Sequence, residues 1–270
     1  MFRSDPAAAV SVVLATARAY LQRMSAYLIQ FIRWPLGPVF TFATWRVTYG
    51  ASGRGLVDGA TLSGFLLVGI FGMITWTSSI WASGYALEWE RGEGTSGSLF
   101  LTPASRSAVV VGYGLGSFIW FLPSFGALLL LGRLTGAHLR VTDALALGLS
   151  VALLILASLS AGFFFSGIFI LSRRGNLIAN FLQAPIYLLT GMLVPLSLLP
   201  GWVRPFAGAV PATHAVSALR ASALSGATLS NVGGEILVGL LISGIWTALG
   251  VTALRWVEHV AKRTGQLDLY

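Results

Sequence analysis

Runs without a single charged residue set the pattern of this chain: 59–87, 107–132, 144–172, 175–203 and 236–254. A helix needs roughly 20 apolar residues to cross the hydrocarbon of a bilayer, and each run reaches or nearly reaches that length. A sixth stretch, 26–48, is interrupted by Arg33 and Arg46. Both lie near its ends, where a long side chain can reach the interface. The pattern therefore predicts six spans, at about 28–48, 60–87, 107–131, 144–171, 177–198 and 235–254.

Two segments between charge and hydrocarbon carry further information. Over 7–25, Val10, Val13, Leu14, Ala17, Leu21 and Met24 share one helical face, continued by Leu28. Ser11, Arg18, Gln22 and Ser25 share the opposite face. That spacing predicts an amphipathic helix lying in the membrane interface. Arg3 followed by the apolar 7–17 run also fits a secretory leader, and the amphipathic face favours the interfacial helix. The segment 200–225 is broken by Pro200, Pro205 and Pro211 yet is too apolar for an open loop. Backbone of this kind survives at membrane depth only under cover of protein or a wet cavity. It predicts a short re-entrant helix pair between spans five and six. The fold class expected is an all-α membrane protein, a single transmembrane domain over 1–270.

Composition agrees. The chain is 56% hydrophobic and 10% charged, where a soluble domain carries about a quarter charged residues. Its net charge of +8 could suggest nucleic acid. The basic residues, however, are scattered over loops and helix ends. With the N-terminus inside, eleven of the seventeen fall on the cytoplasmic side, the expected positive-inside bias, and six spans return the C-terminus there. No nucleic-acid partner is expected. Cysteine is absent, so neither a disulfide framework nor a thiolate metal site is available.

Catalytic chemistry is not legible. His138, His214 and His259 sit far apart without metal-ligand spacing. No span holds a histidine to activate Ser166. The single lysine, Lys262, belongs to no Gly-x-x-x-x-Gly-Lys motif, so no P-loop binds ATP here. Asp58, Asp143 and Glu235 stand at span ends rather than within spans, which disfavours an ion-coupled carrier. Energy for any transport must enter through a cytoplasmic contact.

One polar island suits that role. Residues 88–106 hold Glu90-Arg91, Glu93-Gly94-Thr95, Leu99, Thr102-Pro103 and Ser105-Arg106 between the second and third apolar runs. Later come Pro195, Leu199-Pro200, Trp202, Pro211, Thr213 and Ala218-Leu219-Arg220. Together these resemble the membrane subunits of type-2 ABC exporters, and the likeness covers nearly the whole chain. Gly92, Gly94 and Gly97 are unusual for it, since each interior glycine costs a helix about 1 kcal/mol relative to alanine.

The resemblance implies a permease in a bacterial inner membrane that exports an amphipathic or lipid-like substrate or drug. Its partners would be a cytoplasmic P-loop ATPase subunit, a second permease copy or paralogue, and membrane lipids. ATP and magnesium would reside in the ATPase; this chain would bind no cofactor and no metal. The coupling contact would comprise Glu90, Arg91, Glu93, Gly94, Thr95, Leu99, Thr102, Pro103 and Arg106. Phe118, Phe121, Phe165 and Phe169 are candidates for a substrate path, against the alternative that they pack between helices or face lipid. Polysaccharide or glycolipid export, and a non-transporting anchor for an ATPase, are the competing functions.

Overall fold

The computed structural model describes residues 6–26, 28–51, 53, 56–57, 59–92, 106–171 and 175–264. Helix α1 covers Pro6–Ser25 and α2 Leu28–Ala51. Two short strands, β1 (Leu56–Val57) and β2 (Ala60–Thr61), pair antiparallel with Leu56 opposite Thr61. Helix α3 (Leu62–Ser79) passes through a π turn at Ile80–Gly84 to α4 (Ala86–Gly92). Then come α5 (Arg106–Leu134), α6 (Ala144–Leu171), α7 (Gly175–Leu189), α8 (Arg204–Gly208), α9 (Pro211–Leu224) and α10 (Leu229–Thr264).

Among the described residues, four helical segments are long and apolar enough to cross a membrane: Leu62–Gly84, Arg106–Leu134, Ala144–Phe169 and Leu229–Trp256. Helix α2 occupies the first expected span. Helix α7 occupies the fifth but ends at Leu189 instead of running to 198. The cause is local. Gly191 adopts φ +76°, and the Leu193 N–H reaches back to the Tyr187 carbonyl at 3.3 Å, closing the helix through a left-handed residue. Pro195 then stands in extended backbone ahead of a single 3-10 turn at Leu196–Leu198. The proline-broken 200–225 segment folds into two short helices, α8 and α9, each with proline in its first turn.

The hairpin before α3 was not expected from the sequence. Asp58-Gly59 is a residue pair that two-residue hairpin turns favour, and Gly59 takes φ +76°. Helix α10 is also longer than expected. It starts at Leu229, so Glu235 lies on its second turn and not at its start.

Among the described residues, three of the four buried apolar clusters hold most of the bundle; the fourth, around Ala146, Ala218 and Val232, is small. The largest joins α3, α6, α7 and α9 around Trp76, Leu153, Leu154, Phe165, Phe169 and Met192. A second joins α2, α3 and α5 around Phe42, Phe65, Leu66 and Phe121. The third joins α1, α4 and α5 through Tyr20, Leu87, Val110 and Tyr113.

The end of the bundle away from α4 is fastened by backbone and carboxylate. Asp143 Oδ1 accepts from the Leu145 and Ala146 amides at 3.0 and 3.1 Å, capping α6. Its Oδ2 accepts from the Leu229 amide at 2.9 Å, capping α10. One carboxylate thus satisfies orphan donors of two span helices. His214 on α9 bonds Glu235 of α10 at 2.7 Å and the Gly208 carbonyl at 3.0 Å. The Trp246 indole donates to Ala209 at 3.1 Å. The α8–α9 pair is therefore tied to α10.

Candidate coupling site and translocation cavity

At the α4 end, α1, the helix expected to lie in the interface, does not lie free. Its Val13–Thr16–Ala17–Tyr20 face packs on α5, where Gly112 and Gly116 admit its backbone. A Cβ on Gly112 would collide with the Thr16 side chain and Val13 carbonyl, and one on Gly116 with the Ala17 carbonyl. Val10 and Leu14, placed on the same apolar face by periodicity, remain exposed beside this contact. The helix thus has three faces: one docked on protein, one apolar and open, one polar.

From that docked face an aromatic clasp reaches α4. Tyr20 stacks on Trp89 with centroids 6.2 Å apart and planes 4° from parallel. Tyr113 of α5 meets both rings edge-on, at 5.8 and 6.1 Å. The Arg23 guanidinium lies 5.4 Å from the Trp89 ring centre, a favourable cation–π distance. The Tyr113 hydroxyl donates to Glu90 Oε1 at 2.5 Å. Glu90, expected in the coupling contact, thus spends one oxygen inside its own chain. Arg106 opens α5. Arg91 lies within α4, with its side chain outside the described residues. Glu93, Gly94, Thr95, Leu99, Thr102 and Pro103 lie outside the described residues altogether.

The π turn that joins α3 to α4 sits in a socket of small residues. The Ser79 hydroxyl donates to the Ser158 carbonyl of α6 at 2.7 Å. A side chain on Gly114 of α5 or Gly162 of α6 would run into Ser83. Ser79 and Ser83 are both fully buried. A mid-helix π turn adds one residue to a helical repeat and often marks a functional position. The sequence, free of charged residues over 60–87, carried no sign of it.

Midway along the bundle, α2, α3, α5 and α7 line an open-sided cavity of about 440 Å³. Gly37, Pro38 and Thr41 form one wall, Ile70, Met73, Ile74 and Thr77 another, and Phe121 and Tyr187 complete it. The Thr77 and Tyr187 hydroxyls share a hydrogen bond, and the Gln183 amide donates to Thr77 Oγ1 at 3.3 Å. A mostly apolar wall with a few convergent polar groups is the usual make-up of a small-molecule site.

Of the four phenylalanines considered for a path, Phe121 lines this cavity. Phe165 and Phe169 pack instead in the main core, 5.6 Å apart, beside Trp76 and Tyr85 respectively. Phe118 is buried on α5 and is not a lining residue. Thr77, Gln183 and Tyr187 were not singled out by sequence. The available signal was their polarity within charge-free runs, where an unpaired polar group is costly.

These features define the class. The ABC-2 type transporter family model matches residues 11–224, and the chain belongs to that family. It is a multi-pass membrane protein and the transmembrane component of an ABC-2 type transporter; permeases of this family work with ABC ATPase subunits. Among individual proteins, it is similar to ABC transporter G family member 20 of Dictyostelium discoideum, 26% identical over 194 residues, or 72% of this chain and 25% of that protein. It is also similar to the probable doxorubicin resistance ABC transporter permease protein DrrC of Mycobacterium tuberculosis, 40% identical over 63 residues, covering 23% of this chain and 20% of DrrC. The matched regions thus span a quarter or less of these relatives.

Proposed function

We propose that this chain is the permease of an exporter that moves an amphipathic, drug-like or lipid-like compound out of the cytoplasm or inner leaflet. Power comes from a separate P-loop ATPase that holds the ATP and magnesium. A second permease, identical or related, completes the path. In this reading the chain sits in a bacterial inner membrane with both termini cytoplasmic. Helices α2 and α7 complete six spans, and α8–α9 form the re-entrant pair on the outer side.

The observation that carries the reading is the continuity of α3. It forms a wall of the polar-spotted cavity, crosses the bundle as the most buried of the long spans, and passes through the π turn into α4. Movement of the 88–106 segment by the ATPase reaches the cavity along a single element. Such work requires ATP to favour one permease conformation by a differential binding free energy of several kcal/mol. The cavity's hydroxyls suit a mostly apolar ring system with a few polar substituents, and the likeness to DrrC makes doxorubicin the probe of choice.

The test of orientation and partner is direct. Because the chain has no cysteine, a single cysteine placed in 93–105 is uniquely addressable. In inside-out vesicles it reacts with a membrane-impermeant maleimide, and a co-expressed ATPase protects it. Labelling only from the outer face would reject the proposal. Stable association with an ATPase but no ATP-dependent efflux would favour the anchor role.

A further inference from the structure

A second cavity lies at the end of the bundle opposite α4, between the last turns of α2, the start of α3 and the end of α5. It is an open cleft of about 750 Å³, lined by Arg46, Val47, Gly50, Gly53, Ser63 and Thr135 among others. Its cation is held in place. Arg46 Nη1 donates to Ser63 Oγ at 2.5 Å, and the Ser63 hydroxyl donates onward to the Thr135 carbonyl at 2.8 Å. Ser63 itself is only 2% exposed. An arginine that merely snorkelled would extend its guanidinium into bulk water; this one is drawn inward to a buried hydroxyl.

The relay uses one of the five guanidinium N–H donors. Among the described residues lining the cleft there is no carboxylate. The Gly50 and Gly53 positions are open, with nothing within 4 Å of a built Cβ. On one flank stands Val47, 71% exposed. Since α3 begins at Leu62 and α5 ends at Leu134, Ser63 and Thr135 stand at the ends of two helices long and apolar enough to cross a membrane, where headgroups would lie. A fixed guanidinium there, beside an open pocket and an exposed apolar flank, matches a headgroup phosphate above an acyl chain.

We propose that this cleft binds a phosphate-bearing amphipath, with the phosphate on Arg46 and the apolar chain along Val47 toward the bilayer. The site does not depend on the exporter reading, and its test does not require transport.

Native mass spectrometry of the full chain, stripped of lipid and exposed to phosphatidylglycerol, checks it. Wild type is expected to retain one lipid, with occupancy falling at least tenfold in Arg46→Gln and about threefold in Ser63→Ala. Gly50→Leu, which fills the pocket and leaves Arg46 in place, is expected to lose the lipid as well. This second variant keeps the test decisive if Arg46→Gln melts at lower temperature. Equal retention by wild type, Arg46→Gln and Gly50→Leu would overturn the proposal. So would displacement of the lipid by millimolar inorganic phosphate alone, which would make the site one for a free anion.

Discussion

Single residues set the geometry at both ends of the bundle. Asp143 takes three backbone amides from two helices, and those bonds, Ala146 first and Leu229 next, hold its carboxyl below the usual carboxylate range. A group whose folded value is depressed stabilises above its ordinary value, about 4, and loses that contribution as pH falls through the folded value. Thermal unfolding in detergent should therefore show a loss of stability on the acid side that Asp143→Asn lacks. The variant should also melt lower than wild type at neutral pH, since a neutral amide oxygen replaces two charged acceptors. An identical acid limb in both proteins would contradict this role. At the other end, Gly112 is required by close approach rather than by backbone conformation. Gly112→Ala must push α1 off α5 and should cost about 1–3 kcal/mol, the usual range for overpacking, read as a lowered melting temperature and faster proteolysis within α1. Gly126, whose position opens on empty space, is the control expected to accept alanine without effect.

Elements transmit what these residues fix. Helix α4 has only seven residues, too few to persist alone in water, so its order depends on the clasp to α1 and α5. Hydrogen bonds to a charged acceptor contribute about 1.5–3 kcal/mol. Tyr113→Phe should therefore raise amide exchange across 86–92 about tenfold or more, leaving α3 above the π turn unchanged. Unaltered exchange would remove the Tyr113–Glu90 bond from the account. Legibility in the sequence follows the same lines. The charge-free runs revealed α3, α5, α6 and α10 because burial in lipid requires length and apolarity, and little else produces both. The amphipathic helix and the proline-broken pair were visible for similar reasons. The π turn, the early end of α7 and the docking face of α1 were not. Each arises from which small residue meets which neighbour: Gly162 under Ser83, Gly191 at positive φ, Gly112 beneath Thr16. Periodicity carries no such pairing. The site divides likewise, since the motif pointed to Glu90 while its Tyr113 partner, 23 residues away, had no local signal.

At the scale of the whole molecule, the proposed function treats the chain as a lever, with a cavity midway along the helix that would carry the motion. The Thr77–Tyr187–Gln183 group lies on α3 and α7, so it would sense any displacement of α3 by the coupling segment. Thr77→Ala and Tyr187→Phe should each raise the KM for a transported drug severalfold, while leaving basal ATP hydrolysis by the partner within about twofold. The loss of one hydrogen bond of about 1 kcal/mol corresponds to roughly fivefold in affinity. A fall in basal hydrolysis with KM unchanged would instead place these residues in the coupling path. The test of the central claim is reconstitution of the purified chain into liposomes, with and without a P-loop ATPase, and measurement of doxorubicin flux. The account predicts flux only when the ATPase and ATP are both present. Flux by this chain alone, driven by a gradient, would contradict it.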